Sequence, residues 1–346
     1  TEKQSSHLLY LRVVVALIQA GIGVVQYLGP DILTEIFAPR KVETDVGVGD
    51  RNFNLFGGVY KLGAVAGSLG QPVTFSMLLL IASVIILSRI WFMKSGIARL
   101  KLLVVALILL LGIVFSYKRG VLAITLMILP IIYLLYSDRR KKIFISSALM
   151  VLMIVTLSFF SLRSGVVVKE KTQEISPLAS LTQLSYGEYW ERTMRSSRGW
   201  FISQVGSTML SSVSILGYSA DQSFAKEKLA SIGGAFGKLA SYNAFEDVYW
   251  VSMLVYYGLL GVAIYLMMML KLYRVGKHIS IHGNGDWKLI GTVLCALTII
   301  ALPLNFLYQG WDIRTFSFYY WLLAGLVVNH WAELKTKKKD ESLSET

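Results

Sequence analysis

Cysteine is nearly absent from this 346-residue chain and histidine is scarce. The one thiol, Cys295, lies inside an apolar run; it excludes an intramolecular disulfide and reads as a small core residue. The four histidines, His7, His278, His282 and His330, all fall near segments expected on the cytoplasmic side. No Cys-x-x-Cys, His-Glu-x-x-His or clustered carboxylate triad occurs, so zinc and magnesium have no evident ligand set and no metal is expected. A glycine-rich phosphate loop is also missing, which argues against ATP-driven chemistry, and no soluble cofactor is implied. The apolar/polar alternation of an outer-membrane barrel is not found; apolar residues are contiguous instead. Acidic residues are outnumbered, 21 Asp and Glu against 34 Lys and Arg, for a net charge of +13. In an apolar chain that excess reflects positive-inside bias and contact with anionic membrane lipids, and no nucleic acid is expected as a partner.

What is abundant is hydrocarbon. A hydrophobic fraction of 55% and a mean hydropathy of +0.58 accompany several apolar runs of about 18 residues or more, the length that crosses a bilayer as a helix. The expected fold is an all-α polytopic membrane protein. It is a single integral membrane domain over 1–346, with about eight spans at roughly 8–28, 73–93, 102–118, 120–137, 143–162, 247–270, 288–307 and 316–333. Basic clusters recur between them: Lys94, Arg99 and Lys101; Arg139 to Lys142; Lys271, Arg274, Lys277 and Lys288; and Lys335 to Lys339. With both termini in the cytoplasm, every cluster falls on the cytoplasmic side. The first span is read as a retained helix, since no small-residue cleavage site is evident. The chain starts with Thr, so upstream spans are expected to be missing and eight is a minimum.

Two long outer loops follow from this topology, 29–72 and 163–246. In the second, Trp200, Phe201, Val205, Met209, Val213 and Leu216 recur at helical spacing, which predicts an amphipathic helix at the outer interface. No internal repeat of the transporter type is present.

Unusual charges and glycines gather on the outer face in four patches. The first is Tyr60-Lys61-Leu62-Gly63, continuing through Gly67 and Gly70 to Gln71-Pro72. The second is Ser116-Tyr117-Lys118-Arg119-Gly120. The third runs from Glu191 through Arg192, Arg195, Arg198, Gly199 and Trp200 to Ile215-Leu216-Gly217-Tyr218. The fourth is Asn243-Ala244-Phe245-Glu246-Asp247-Val248-Tyr249-Trp250, leading to Gly258-Leu259-Leu260-Gly261. Arg119 is the most telling, because a fixed charge between two apolar runs lines a cavity, pairs with a carboxylate or holds an anion.

The order and placement of these patches, over about residues 50–275, resemble the bacterial O-antigen polymerase and ligase family. Two departures stand out: Asp247, preceded by Glu246, occupies the place where many members carry His, and Lys118 is added to the Ser-x-Arg-Gly turn. The resemblance implies a metal-independent glycosyltransferase of the bacterial inner membrane, in capsule or lipopolysaccharide biosynthesis. It would polymerise lipid-linked oligosaccharide repeat units carried on polyprenyl pyrophosphate, with a chain-length regulator protein as a further partner.

The residues suit that chemistry. Arg119 and Arg198 would stabilise the charge gained by a departing pyrophosphate, since the guanidinium fork binds phosphate oxygens bidentately and stays ionised. At a helix start Arg119 would add orphan backbone N–H groups to the same anion. Arg195, Lys118 and Lys61 are candidate substrate contacts. Asp247, with Glu246 as second choice, is the candidate base for an attacking sugar hydroxyl. Trp200 and Tyr249 are candidate sugar platforms, with Tyr186, Tyr189 and Trp190 beside them.

Plainer roles stand next to each. Arg119 can snorkel, Arg195 and Arg198 can pair with Glu188 and Glu191, Asp247 can cap a helix, and Trp and Tyr gather at any membrane interface. Two rival functions use the same substrates. A ligase would pass finished glycan to a separate acceptor. A flippase would move the lipid-linked unit and calls for ionisable residues at mid-membrane depth and broken helices. Arg12 and Arg89 read from sequence as groups near span ends, which favours surface chemistry.

Overall fold

The computed structural model describes residues 2–28, 41–44, 47–50, 68–69, 72–93, 96–116, 118–136, 215–232, 249–307 and 313–344. The chain is a multi-pass helical membrane protein. Its elements are α1 (Glu2–Leu28), α2 (Pro72–Phe92), α3 (Gly96–Phe115), α4 (Arg119–Leu126), α5 (Ile128–Tyr136), α6 (Gln222–Ile232), α7 (Tyr249–His282), α8 (Gly285–Leu307) and α9 (Arg314–Ser344). One small antiparallel hairpin, β1 (Lys41–Thr44) with β2 (Gly47–Asp50), pairs Lys41 with Asp50 and Thr44 with Gly47 inside the first long loop.

Among the described residues, five helices are long and apolar enough to cross a membrane: His7–Tyr27, Val73–Phe92, Gly96–Phe115, Tyr249–His282 and Gly285–Asn305. The span expected over 143–162 lies outside the described residues. The one expected over 316–333 forms a helix, α9, whose apolar stretch is interrupted by Tyr319, Tyr320, Asn329 and His330 and falls short of a fully apolar span.

The span expected over 120–137 is a helix in two pieces. Pro130 explains the break. Its ring collides with the carbonyl four residues back, at Leu126, where α4 ends. Met127 turns the chain, its N–H shared between the carbonyls of Ala123 and Ile124 at 3.3 and 3.1 Å.

Helix α2 is the axis of the bundle. It is apolar on every side, and all residues from Phe75 to Ser88 are buried, as a helix without a polar face must be. Pro72 sits at its start, where a missing N–H costs no hydrogen bond. Around α2 pack α1, α3, α8 and α9, and α7 lies along α8. Small residues allow the closest approaches: a Cβ at Gly291 of α8 would stand 2.7 Å from the Ser280 nitrogen and 2.8 Å from the Gly276 oxygen of α7. Outward residues such as Ile97, Val104 and Leu107 are exposed, as lipid-facing positions are.

Polar rungs tie the apolar helices together. Tyr136 of α5 hydrogen-bonds Ser280 of α7 at 2.5 Å and also Thr292 of α8. Tyr320 of α9 bonds Thr298 of α8 at 3.0 Å and reaches Met269 Sδ of α7 at 3.1 Å. The ends of the bundle can be told apart by their aromatic pairs. Tyr27 stacks on Phe115 at the end carrying the 116–119 turn, called here the turn end, and Phe92 meets Tyr136 edge-on at the opposite end.

Candidate functional site

The chain leaves α3 through Ser116, which is buried and donates its hydroxyl to the Ile113 carbonyl at 2.6 Å. Lys118 follows at φ −90°, ψ 84°, in the N-cap position of α4 and without a side-chain capping bond. Helix α4 then begins at Arg119, the start expected from sequence. The N-cap side chain therefore satisfies none of the first N–H groups of the helix, and the positive end of the helix dipole lies in the same turn as Lys118 and Arg119. A helix start of this kind accepts an anion readily.

The second feature was not foreseen. Helix α7 is broken at Gly258, whose φ of 64° and ψ of −165° belong to a region that only glycine enters at little cost. The break is a fold-back. On a straight helix, Tyr249 and Tyr265 would be about 24 Å apart; here their ring centroids are 5.6 Å apart, and Trp250 meets Tyr265 at 5.5 Å. Residues 249–257 thus form a short arm lying against the long arm, 259–282. Gly261 makes the turn tight enough, because any side chain there would run into Tyr257. The Trp250 indole donates to the Leu302 carbonyl at 3.0 Å, and Asn305 Nδ2 donates to the Tyr265 hydroxyl at 3.2 Å, so the short arm begins within the bundle, alongside α8.

A break inside an apolar environment frees backbone groups that must be satisfied by some other element. The segment 215–218 satisfies them. The Ile215 carbonyl accepts from the Leu260 N–H at 3.0 Å, and the Tyr218 N–H donates to the Val255 carbonyl at 2.8 Å. Gly217, at φ 78°, fits where nothing larger can: a Cβ would stand 2.5 Å from the Tyr256 oxygen and 2.6 Å from the Gly258 nitrogen. Two patches singled out in the sequence, Ile215-Leu216-Gly217-Tyr218 and Gly258-Leu259-Leu260-Gly261, are therefore one backbone-to-backbone contact.

Leu216 lies in this bent segment, so the helix expected over 200–216 does not include its last position; 200–214 lie outside the described residues. The helix of the second loop that is described is α6, with Ala225 and Leu229 buried one turn apart and Glu227, Lys228 and Ser231 exposed. Asp221 caps it, accepting from the Ser223 N–H at 2.8 Å and the Ser223 hydroxyl at 2.5 Å. The Ser223 hydroxyl bond, then the backbone N–H bonds from Ser223 and Phe224, hold its carboxyl below the usual range. Burial pushes the Tyr218 phenol above its ordinary value.

Of the residues proposed from sequence, Lys118 and Tyr249 are described in full, and Arg119 by its place as the first residue of α4. Lys118 is half-buried at the turn end. Tyr249 is half-buried between Trp250 and Tyr265, held by packing at the foot of the short arm. Both sit on elements that contact α8. Asp247, Glu246, Arg195, Arg198, Trp200 and Lys61 lie outside the described residues, as do Tyr186, Glu188, Tyr189, Trp190, Glu191 and Arg192. No group of three or more His, Cys, Asp or Glu that could hold a metal occurs among the described residues.

Sequence reasoning placed Arg12 near a span end, and the structure corrects this. A side chain at Gly112 would meet Ala20 at 3.5 Å and Phe75 at 3.7 Å, so Ala20 is level with the turn ends of α2 and α3. Arg12 lies eight residues further along α1, about 12 Å deeper. The stretch of α2 from Phe75 to Phe92 is about 26 Å long, which puts Arg12 near mid-depth. It is 3% exposed, its guanidinium stacks over the Tyr319 ring of α9, and none of its three nitrogens has a hydrogen-bond partner among the described residues. Insertion scales put a charge at that depth at about 3 kcal/mol. A desolvated cation–π contact returns about 2 kcal/mol. The signal available in sequence was the interruption of an otherwise apolar run by one arginine.

Comparison with protein-family models, curated proteins and solved structures gave no match.

Proposed function

We propose that the chain polymerises lipid-linked oligosaccharide repeat units at the outer face of the bacterial cytoplasmic membrane, with the turn end facing outward and both termini in the cytoplasm. The observation that carries the reading is the α3–α4 turn. There a helix start that its own N-cap side chain does not cap coincides with Lys118 and Arg119 at the edge of the apolar bundle. That is the arrangement a pyrophosphate at the interface calls for.

In the reaction, the bond between the anomeric carbon of the growing glycan and its pyrophosphate oxygen breaks. The electron pair leaves with polyprenyl pyrophosphate. Arg119, with Arg198 and Arg195 from the second loop, neutralises the charge gained, and backbone N–H groups of α4 share it. The hydroxyl oxygen of an incoming lipid-linked unit forms the new bond, and its proton passes to Asp247, with Glu246 as the alternative base. Lys118 and Lys61 hold the anionic carrier, and Trp200 and Tyr249 flank the sugars. No metal or soluble cofactor takes part.

A second reading, passage of the same lipid-linked unit across the membrane, is favoured by two observations: the buried Arg12 and the break in α7. One experiment separates the readings. Cells carrying Arg119→Ala, with membrane expression verified, are analysed for lipid-linked and surface glycans. Single repeat units accumulating on the carrier at the outer leaflet, with long chains lost, support polymerisation. Units trapped at the inner leaflet support passage. Long chains building up on the carrier point to a ligase that passes finished glycan to another acceptor, and an unchanged profile overturns a role for Arg119.

A further inference from the structure

We infer that Arg12 is an anion-binding residue within the membrane, and that its ligand is the phosphate group of a lipid. The inference stands on Arg12 alone and holds whichever reading of the outer face is correct.

Three observations combine. Arg12 is 3% exposed at mid-depth, and none of its three guanidinium nitrogens has a hydrogen-bond partner among the described residues. The Tyr319 ring covers one face of the guanidinium plane, and the N–H donors along its edge are buried without a bonding partner among the described residues. Helices α1 and α9 both pack on α2 and α8, and Arg12 reaches from α1 across to α9. The buried described residues within about a turn of Arg12 on α1 and of Tyr319 on α9 are apolar or neutral: Val13, Ala16, Phe316, Tyr320 and Leu323. No described carboxylate is available to neutralise the charge.

A buried planar fork with one face stacked and its N–H groups unpaired calls for an oxyanion that accepts two parallel N–H bonds, and phosphate esters are such anions. In this environment an anion attached to a hydrocarbon chain has an advantage over a free one. Its tail occupies the lipid phase beside the exposed face of α1, where Leu8, Leu11, Val15 and Ile18 are uncovered, while the head reaches Arg12. The phosphate of a glycerophospholipid and that of an isoprenoid carrier share this chemistry.

The test uses the full chain purified in a neutral detergent, as wild type, Arg12→Met and Arg12→Lys. Phosphorus per mole of protein is measured after exhaustive washing, and bound lipid is identified by mass spectrometry. Wild type should retain phosphorus near one equivalent. Arg12→Met should lose it at least tenfold and Arg12→Lys several-fold, because an ammonium has the charge without the fork. Titration with phosphatidylglycerol should raise the melting midpoint of wild type and leave that of Arg12→Met unmoved; a phosphate-free glycosyl diacylglycerol should not distinguish the two. A glycerophospholipid or an isoprenyl phosphate in the mass spectrum each supports the inference and identifies the source. Equal phosphorus in wild type and Arg12→Lys, or none in wild type together with no response to phosphatidylglycerol, overturns it. Arg12→Lys keeps the test decisive should Arg12→Met fail to accumulate.

Discussion

Replacing Gly258 with alanine tests the fold-back of α7 directly. At φ 64° and ψ −165°, an added Cβ imposes backbone strain on the order of 1–3 kcal/mol. Gly217→Ala attacks the same contact from the other side. Its Cβ would fall 2.5 Å from the Tyr256 oxygen and 2.6 Å from the Gly258 nitrogen, both backbone atoms with no rotamer to escape into. Relief requires moving segment 215–218 away, at a loss of the Tyr218–Val255 and Leu260–Ile215 bonds, about 1 kcal/mol each. Gly217→Ala should therefore cost about 2–4 kcal/mol.

Because the two hydrogen bonds can be lost only once, the double variant should fall short of additivity by about 1–2 kcal/mol. Unfolding in mixed micelles titrated with sodium dodecyl sulfate, followed by tryptophan fluorescence, gives these differences. Geometry is checked separately with Tyr249→Cys and Tyr265→Cys in one chain. A short bifunctional thiol reagent should link them within the chain, and buried Cys295 should not interfere. Were α7 straight, the two thiols would be beyond reach, Gly258→Ala would be neutral or stabilising, and the account of the break would fail.

Helix packing gives a contrast between glycines. Gly291→Ala drives a Cβ into backbone atoms of α7 and should destabilise by about 1–3 kcal/mol, whereas Gly112→Ala meets chiefly the movable tip of Leu79 and should cost less; unfolding midpoints compare them. Tyr136→Phe removes the hydroxyl shared by Ser280 and Thr292, and should lower stability by about 1–2 kcal/mol in the same assay. The Asp221 cap sets a pH response. Its carboxyl is held below the ordinary value, so its contribution to α6 is present above the unfolded value of about 3.9 and disappears as pH falls through the lower, folded one. Amide exchange in 222–232 should accelerate over that acidic window in wild type, and Asp221→Asn should flatten the response; an unchanged profile would contradict the capping argument.

The bundle was largely legible because apolar length is a strong signal. Helices α2 and α8 lie within three residues of the expected spans, α3 starts six residues earlier than expected, and α4 starts at Arg119, where the Ser116–Gly120 turn suggested. The break after Leu126 was legible too, since Pro130 has only one effect at that position, but an unbroken apolar run outweighed it. Gly258 and Gly217 were both singled out, yet nothing local tells a packing glycine from one in a forbidden conformation. That distinction depends on two segments, 215–218 and 255–260, meeting across some forty residues of chain. Arg12 was misread for a related reason: its depth is fixed by where Gly112 and Phe75 meet Ala20, and one-dimensional distance from the terminus carries no such information. As for the site, only the Lys118–Arg119 turn and Tyr249 have described places, and the remaining assignments stand on sequence.

The fold-back of α7 also has a bearing on the lipid around it. A continuous run over 247–270 would cover a full hydrocarbon core, but the long arm has only residues 259–270 before Lys271, about 18 Å against the roughly 30 Å of an ordinary bilayer. Exposed Leu259, Ile264, Met267 and Leu270 meet acyl chains over that shortened height, and Lys271 and Arg274 draw headgroups toward it. A stretch this short is met by local thinning of the bilayer or by flanking side chains that snorkel. The same glycine that bends the helix therefore also sets the height of apolar surface that this flank offers to lipid.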